Sequence, residues 1–209
     1  METTILIVDD SPYIVDGLVA LLKRKGFNPV ACHGGEEALA TLSTMRPDLI
    51  LLDIMMEPMD GWETLGRIKA DPSLSDLPVL MFSAKKITPE EAEAHRMNIE
   101  DFVSKPVNPA LLLESINRIF ARREAVKAEV MQAKDKGVDP SLVSEYSALR
   151  KSIEVDKNLL VVLKKSSGTH LPGREVPADD LAAMSRLEAK ILADEKRLSE
   201  LSGKFSAGV

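Results

Sequence analysis

Five side chains with chemistry to offer stand at the ends of short apolar runs. Asp9 and Asp10 follow TILIV, Asp53 follows LILL, Ser83 follows LPVLMF, and Lys105 comes just after DFV. A continuous apolar run bounded by turn signals reads as a strand buried on both faces, as in a parallel sheet. Open α/β sheets keep their ligands at the carboxyl ends of such strands. In a sheet ordered 2-1-3-4-5 the five side chains share one edge, around the switch between the first and third strands. Three carboxylates crowded there repel one another and raise each other's pKa. A hard divalent cation removes that penalty, and Mg²⁺ suits two or three carboxylates plus a backbone carbonyl. Lys105 adds a fixed positive charge and Ser83 a hydroxyl donor. Around one carboxylate, such a set can neutralise a phosphoryl group being transferred to it.

The elements that must position these residues alternate regularly. Strands are expected at Thr4 to Val8, Phe27 to Ala31, Asp48 to Leu52, Leu77 to Phe82 and Asp101 to Val103. Helices are expected from Ser11-Pro12 to Gly26, then over Gly35 to Thr44, Gly61 to Ala70 and Pro89 to Met97. Ser11-Pro12 supplies an N-cap and an N1 proline. The centre is Pro47 to Gly61, PDLILLDIMMEPMDG, where the apolar run stops at Asp53. Strand and helix alternating five times in roughly 120 residues make a doubly wound parallel sheet of the α/β class.

Past Phe120 the strand signals vanish. The fifth helix starts near Asn108-Pro109 and keeps its spacing through Ile116, Ile119, Val126, Val130 and Ala133 to about residue 136. Two further helices are expected at about 140–165 and 178–202. The first carries Leu142, Tyr146, Leu149, Ile153, Leu160 and Leu163 as a heptad seam, with Asp156 in one slot. The second carries Met184, Leu187, Ile191, Leu198 and Leu201, with Asp194 in the seam. Narrow stripes of this kind suit a coiled-coil-like helical hairpin, and Ser166 to Pro177, rich in Gly and Pro, reads as its loop. A pair of helices buries little, so the extended fifth helix or another subunit is needed as a partner. The domains expected are 1–122 and a helical region, 123–209.

Composition narrows the function. The 209 residues carry net charge −6 and 4% aromatics, with no basic footprint for nucleic acid. One cysteine, Cys32, precludes an intramolecular disulfide framework and fits a reducing compartment. The first residues carry no basic signal region, and no apolar run approaches a bilayer span. A cytoplasmic protein without membrane insertion is expected.

The full pattern resembles the receiver domain of two-component response regulators, over about residues 3 to 122. The likeness rests on Asp9-Asp10, Asp53, Met59-Asp60-Gly61, Ser83-Ala84, Phe102 and Lys105-Pro106. The steps of 30 residues from Asp53 to Ser83, 19 to Phe102 and 3 to Lys105 match that family. The resemblance implies a flavodoxin-like fold. It implies that Asp53 is the phosphoacceptor for a histidine kinase or phosphotransfer protein. Asp10, Asp53 and the Met55 carbonyl would ligate Mg²⁺, with Asp9 acting largely through water. Lys105 would pair with the phosphoryl oxygens, Ser83 would turn inward, and Phe102 would follow it. A cis bond before Pro106 is also implied.

The chain departs from the family at Glu57, where proline is usual; here proline is Pro58. Glu57 adds negative charge beside the site. Met55 and Lys85 stand where the family tunes hydrolysis, and a bulky Met55 points to slow autodephosphorylation. The expected output is a helical dimerisation or docking surface for an unknown downstream protein, with a homodimer possible. No enzymatic activity is expected beyond self-catalysed acceptance and hydrolysis. A catalytic helical region and a phosphorylation-independent scaffold are the alternatives.

Overall fold

Five short strands pair in parallel: β1 (Thr4–Val8), β2 (Asn28–Cys32), β3 (Leu49–Asp53), β4 (Val79–Ser83) and β5 (Asp101–Ser104). Their order is β2-β1-β3-β4-β5, the doubly wound arrangement expected. The computed structural model describes residues 2–84, 88–95, 98–167 and 176–207. Val8 lies in register with Leu52, and Asp53 with Phe82. Every residue of β3 and β4 is buried, as central strands of a covered parallel sheet require. β3 extends one residue further than its apolar run, so Asp53 belongs to the ladder.

Helices α1 (Pro12–Arg24), α2 (Gly35–Leu42) and α3 (Gly61–Ala70) alternate with the first strands. Pro12 opens α1, yet the Ser11 side chain makes no cap bond. The Ser11 N–H instead donates to Asp9 Oδ1 at 2.8 Å, which ties the helix start to the acidic pair. Gly26, at φ 83°, takes the left-handed turn after α1, and the Phe27 N–H donates back to the Leu22 carbonyl. Leu18, Leu21 and Leu22 cover the sheet, and the core sits between these helices and the strands.

The chain divides into two compact units. One is Met1–Lys86 with Asn98–Leu113; the other is Ile87–Met97 with Glu114–Val209. The second holds α4 (Pro89–His95), the body of α5 (Pro109–Asp135), α6 (Pro140–Ser167) and α7 (Ala178–Ala207). Asn108 caps α5, accepting from the Ala110 N–H at 2.9 Å. Asp139 accepts from the Ser141 N–H at the start of α6. The α6–α7 pairs Glu145–Arg197, Lys157–Glu195 and Lys164–Glu188 rise on one helix as they fall on the other, so the two run antiparallel. α4 packs against α7.

The seam of α6 differs from the narrow heptad. Val143, Ile153, Val155, Leu159 and Leu163 are buried along with Tyr146, while Leu142, Leu149 and Leu160 are half-buried. The stripe widens because α6 also meets α5. Val143 packs with Ala133 and Val138, and the Tyr146 hydroxyl donates to Glu129 on α5 at 2.8 Å. α6 continues through Ser167, into the start of the expected loop; residues 168–175 of that loop, and Lys85, lie outside the described residues. Among the described residues no helix is long and apolar enough to cross a membrane.

Candidate functional site

The first residues beyond β1 are Asp9 and Asp10. Asp9 is completely buried, whereas Asp10 faces solvent. Asp53 closes β3 and is 2% exposed. One carboxylate oxygen from each of the three lies within 4.8 Å of the others. Lys105, brought in after β5, spans two of them: its Nζ is 2.7 Å from Asp9 Oδ2 and 2.8 Å from Asp53 Oδ2. The Lys105 backbone N–H donates to the Ser83 carbonyl at 2.8 Å, fixing the approach of the side chain. The Lys105–Pro106 peptide is cis, as the resemblance implies, and Glu57–Pro58 is cis as well.

Asp53 Oδ1 is buried and makes no hydrogen bond. Its partner oxygen is held by Lys105, so half of this carboxylate is presented to the acidic cluster unsatisfied. Burial pushes the Asp53 pKa above the ordinary carboxylate range; Lys105 opposes that shift, and Asp9 adds to it. Three carboxylates and one ammonium leave a net negative centre. The donors are all hard oxygens and one buried oxygen lacks a proton donor, which fits a small divalent cation.

The loop after β3 is closed by a backbone contact. A Cβ at Gly61 would lie 2.0 Å from the Asp53 carbonyl oxygen, so only glycine allows the start of α3 to approach the end of β3. The Gly61 N–H donates to the Ile54 carbonyl, and Asp60 caps α3 by accepting from the Glu63 N–H at 2.8 Å. Met55, in this loop, is 55% exposed.

The structure brings Asp9, Asp10, Asp53 and Lys105 together. Ser83, fully buried, ends the strand next to β3 and lies in register with Ser104. Phe102 sits on β5 in register with Met81 and is 5% exposed. Phe82 was not singled out from sequence, yet Lys105 Nζ lies 4.7 Å from the centroid of its ring. Its place as the last apolar residue before Ser83 is the signal that could have marked it.

Residues 5–117 match the family described as the response regulator receiver domain, and residues 122–209 match one described as Metanogen output domain 2. The DNA-binding response regulator MtrA of Mycolicibacterium smegmatis is 32% identical over 139 residues, 66% of this chain and 60% of its own length. The chain thus spans about 60% of that relative. Protein PilH of Pseudomonas aeruginosa is 31% identical over 117 residues, 56% of this chain and 97% of PilH. Among solved structures, the chemotaxis protein CheY4 of Vibrio cholerae superposes with a TM-score of 0.54 at 28% identity, covering 57% of this chain and 99% of that one. A CheY-like receiver domain protein of Methanospirillum hungatei gives 0.56 at 26% identity, over 60% of this chain and 98% of its own.

Proposed function

Because the chain belongs to the response regulator receiver family, we propose that Asp53 is its phosphoacceptor, serving a two-component phosphorelay. The observation that carries this reading is the divided Asp53 carboxylate: Oδ2 is on Lys105, while buried Oδ1 has no hydrogen-bond partner. A carboxylate oxygen of Asp53 attacks the phosphorus of a phosphohistidine on a histidine kinase or phosphotransfer protein. The nitrogen–phosphorus bond breaks, an acyl phosphate forms, and the imidazole leaves to take up a proton. Lys105 holds its positive charge beside the oxygens of the incoming group and keeps Asp53 oriented for attack. Asp10 and Asp53, with the Met55 carbonyl and with Asp9 through water, are the groups to hold Mg²⁺, which when bound offsets phosphoryl charge. Water later hydrolyses the acyl phosphate to inorganic phosphate and restores the carboxylate.

Ser83 and Phe102 are the residues proposed to report the modification. Ser83 precedes α4 in the chain, and α4 packs against α7, which supports a route from the acceptor to the helical unit. The output is proposed to be protein interaction, by dimerisation or by docking a downstream protein, in the cytoplasm. The charges of α6 and α7 favour this over nucleic acid, since Lys157, Lys164 and Arg197 are each paired with a glutamate.

The test is incubation with acetyl phosphate and Mg²⁺, read by intact mass and peptide mapping. Wild type is expected to gain one phosphoryl group on Asp53, and Asp53→Ala none. A gain that survives the substitution, or no gain with Mg²⁺ present, contradicts the proposal.

A further inference from the structure

The α6–α7 pair carries one face on which charge and apolar surface are sorted by helix. On α6, Lys157, Val161 and Lys164 stand at i, i+4 and i+7, and so share a face. On α7, Glu188, Leu192 and Glu195 have the same spacing. Two bridges join these rows across the antiparallel pair, Lys157–Glu195 at 2.7 Å and Lys164–Glu188 at 2.6 Å. Both triplets therefore lie on the same side, with Val161 and Leu192 between the bridges at nearly one height. Neither is covered: Val161 is 50% exposed and Leu192 67%. Leu181, also exposed and seven residues before Glu188, continues the stripe along α7.

Single apolar side chains are ordinary on a surface. What sets this face apart is that both framing lysines belong to α6 and both framing glutamates to α7. A two-fold axis parallel to the helices sets the α6 of one copy against the α7 of another. Each lysine row then meets a glutamate row, and Val161 meets Leu192 once on each side of the axis. A two-fold axis running across the helices sets like rows together instead, lysine on lysine, and like charges so placed repel. The same surface thus accepts its own copy in one orientation and rejects it in the other.

We propose that this face is a dimer interface, closing two copies of the chain into a packing of two α6 and two α7 helices with Val161 and Leu192 at its centre. Lys157 and Glu195 of one copy join their counterparts in a four-charge cluster, as do Lys164 and Glu188. This interface gives a surface to the dimerisation form of the output proposed above and rests on that reading, but not on which residue accepts phosphate.

The test sediments the full chain at rising concentration, with and without Mg²⁺ and beryllofluoride. Self-association into a dimer is expected. Leu192→Lys, which sets a cation against the second copy's lysine row, is expected to weaken it about tenfold or more. Circular dichroism checks that this variant, changed at an exposed site, is folded. Val161→Cys and Leu192→Cys proteins are then prepared separately, mixed and oxidised with copper phenanthroline; Cys32 is buried in both. The mixture is expected to give mainly the disulfide between positions 161 and 192, identified by intact mass. A dimer that Leu192→Lys leaves unchanged, or one that cross-links mainly like position with like, overturns this interface while a dimeric output stands. Absence of self-association under every condition overturns both.

Discussion

Lys105 is the residue on which the electrostatics of the centre turn. It faces Asp9, which is wholly buried, and Asp53, which nearly is. Lys105→Met leaves two buried carboxylates with no cation. The metal-free protein is expected to lose on the order of 3 kcal/mol in urea denaturation, and Mg²⁺ is expected to restore part of it by binding the folded state. Asp53→Asn acts in the opposite direction. Its raised pKa means that the folded state binds the proton more tightly than the unfolded chain. The stability contributed by this group therefore falls as pH rises from the ordinary carboxylate range to the raised value, and levels off above it. At neutral pH the metal-free Asp53→Asn protein is expected to melt higher than wild type, and the difference is expected to shrink as pH is lowered towards the acid range. A lower melting temperature at pH 7 would contradict the assignment of burial as the dominant influence. Met55, apolar and two residues past Asp53, is expected to slow hydrolysis of the proposed acyl phosphate by keeping water off it. Decay of the phosphoprotein within seconds, followed by mass, would reject that role. These residues were legible in sequence because strand-end position and polarity are local properties. The Phe82 contact with Lys105 was not, since it depends on which way a neighbouring strand presents its last ring.

At the level of elements, two junctions decide whether the residues meet. The first is the turn from β3 into α3, where Gly61 lies against the Asp53 backbone. Gly61→Ala forces that contact apart, at an expected cost on the order of 2–3 kcal/mol by denaturation, together with weaker Mg²⁺ binding. The second is the α6–α7 interface. Asp156 is fully buried, and Lys190 bonds it at 2.8 Å, bonds the Ser152 hydroxyl oxygen at 2.9 Å, and also pairs with Asp194. From the heptad, Asp156 and Asp194 read most simply as solvent-facing edges, with a register device as the sharper reading. The structure rejects the edge reading for Asp156 and supplies the missing cation. Lys190 escaped notice because it sits outside the apolar stripe and reaches the seam along its own stem. Lys190→Met is expected to destabilise the helical unit by about 3 kcal/mol, since it strands a buried charge, while the Lys190→Met and Asp156→Leu pair is expected to recover most of the loss. The breadth of the α6 stripe was illegible for a related reason: a heptad shows one partner, and α6 has two.

On the scale of the molecule, the alternation of strand and helix was sufficient to order the sheet, because parallel connections have few allowed topologies. What it could not show was that α4 associates with α7, since a seven-residue, Glu-rich helix carries little apolar signal. Under the proposed function, this packing within the helical unit supports a coupling of the helices to phosphorylation of Asp53. A phosphoryl mimic is therefore expected to change the state of the helices. Sedimentation with and without beryllofluoride and Mg²⁺ is expected to show a shift in association for wild type and none for Asp53→Ala. Equal sedimentation in both states would remove dimerisation as the output.

The most direct measurement is a crystal structure grown with Mg²⁺ and beryllofluoride. The expected result is beryllium on a carboxylate oxygen of Asp53, its fluorides reaching Lys105, and one metal ion touching both Asp10 and Asp53. An ion held elsewhere, or the fluoride adduct on any other side chain, would contradict the assignment of this acidic edge as the phosphoacceptor centre.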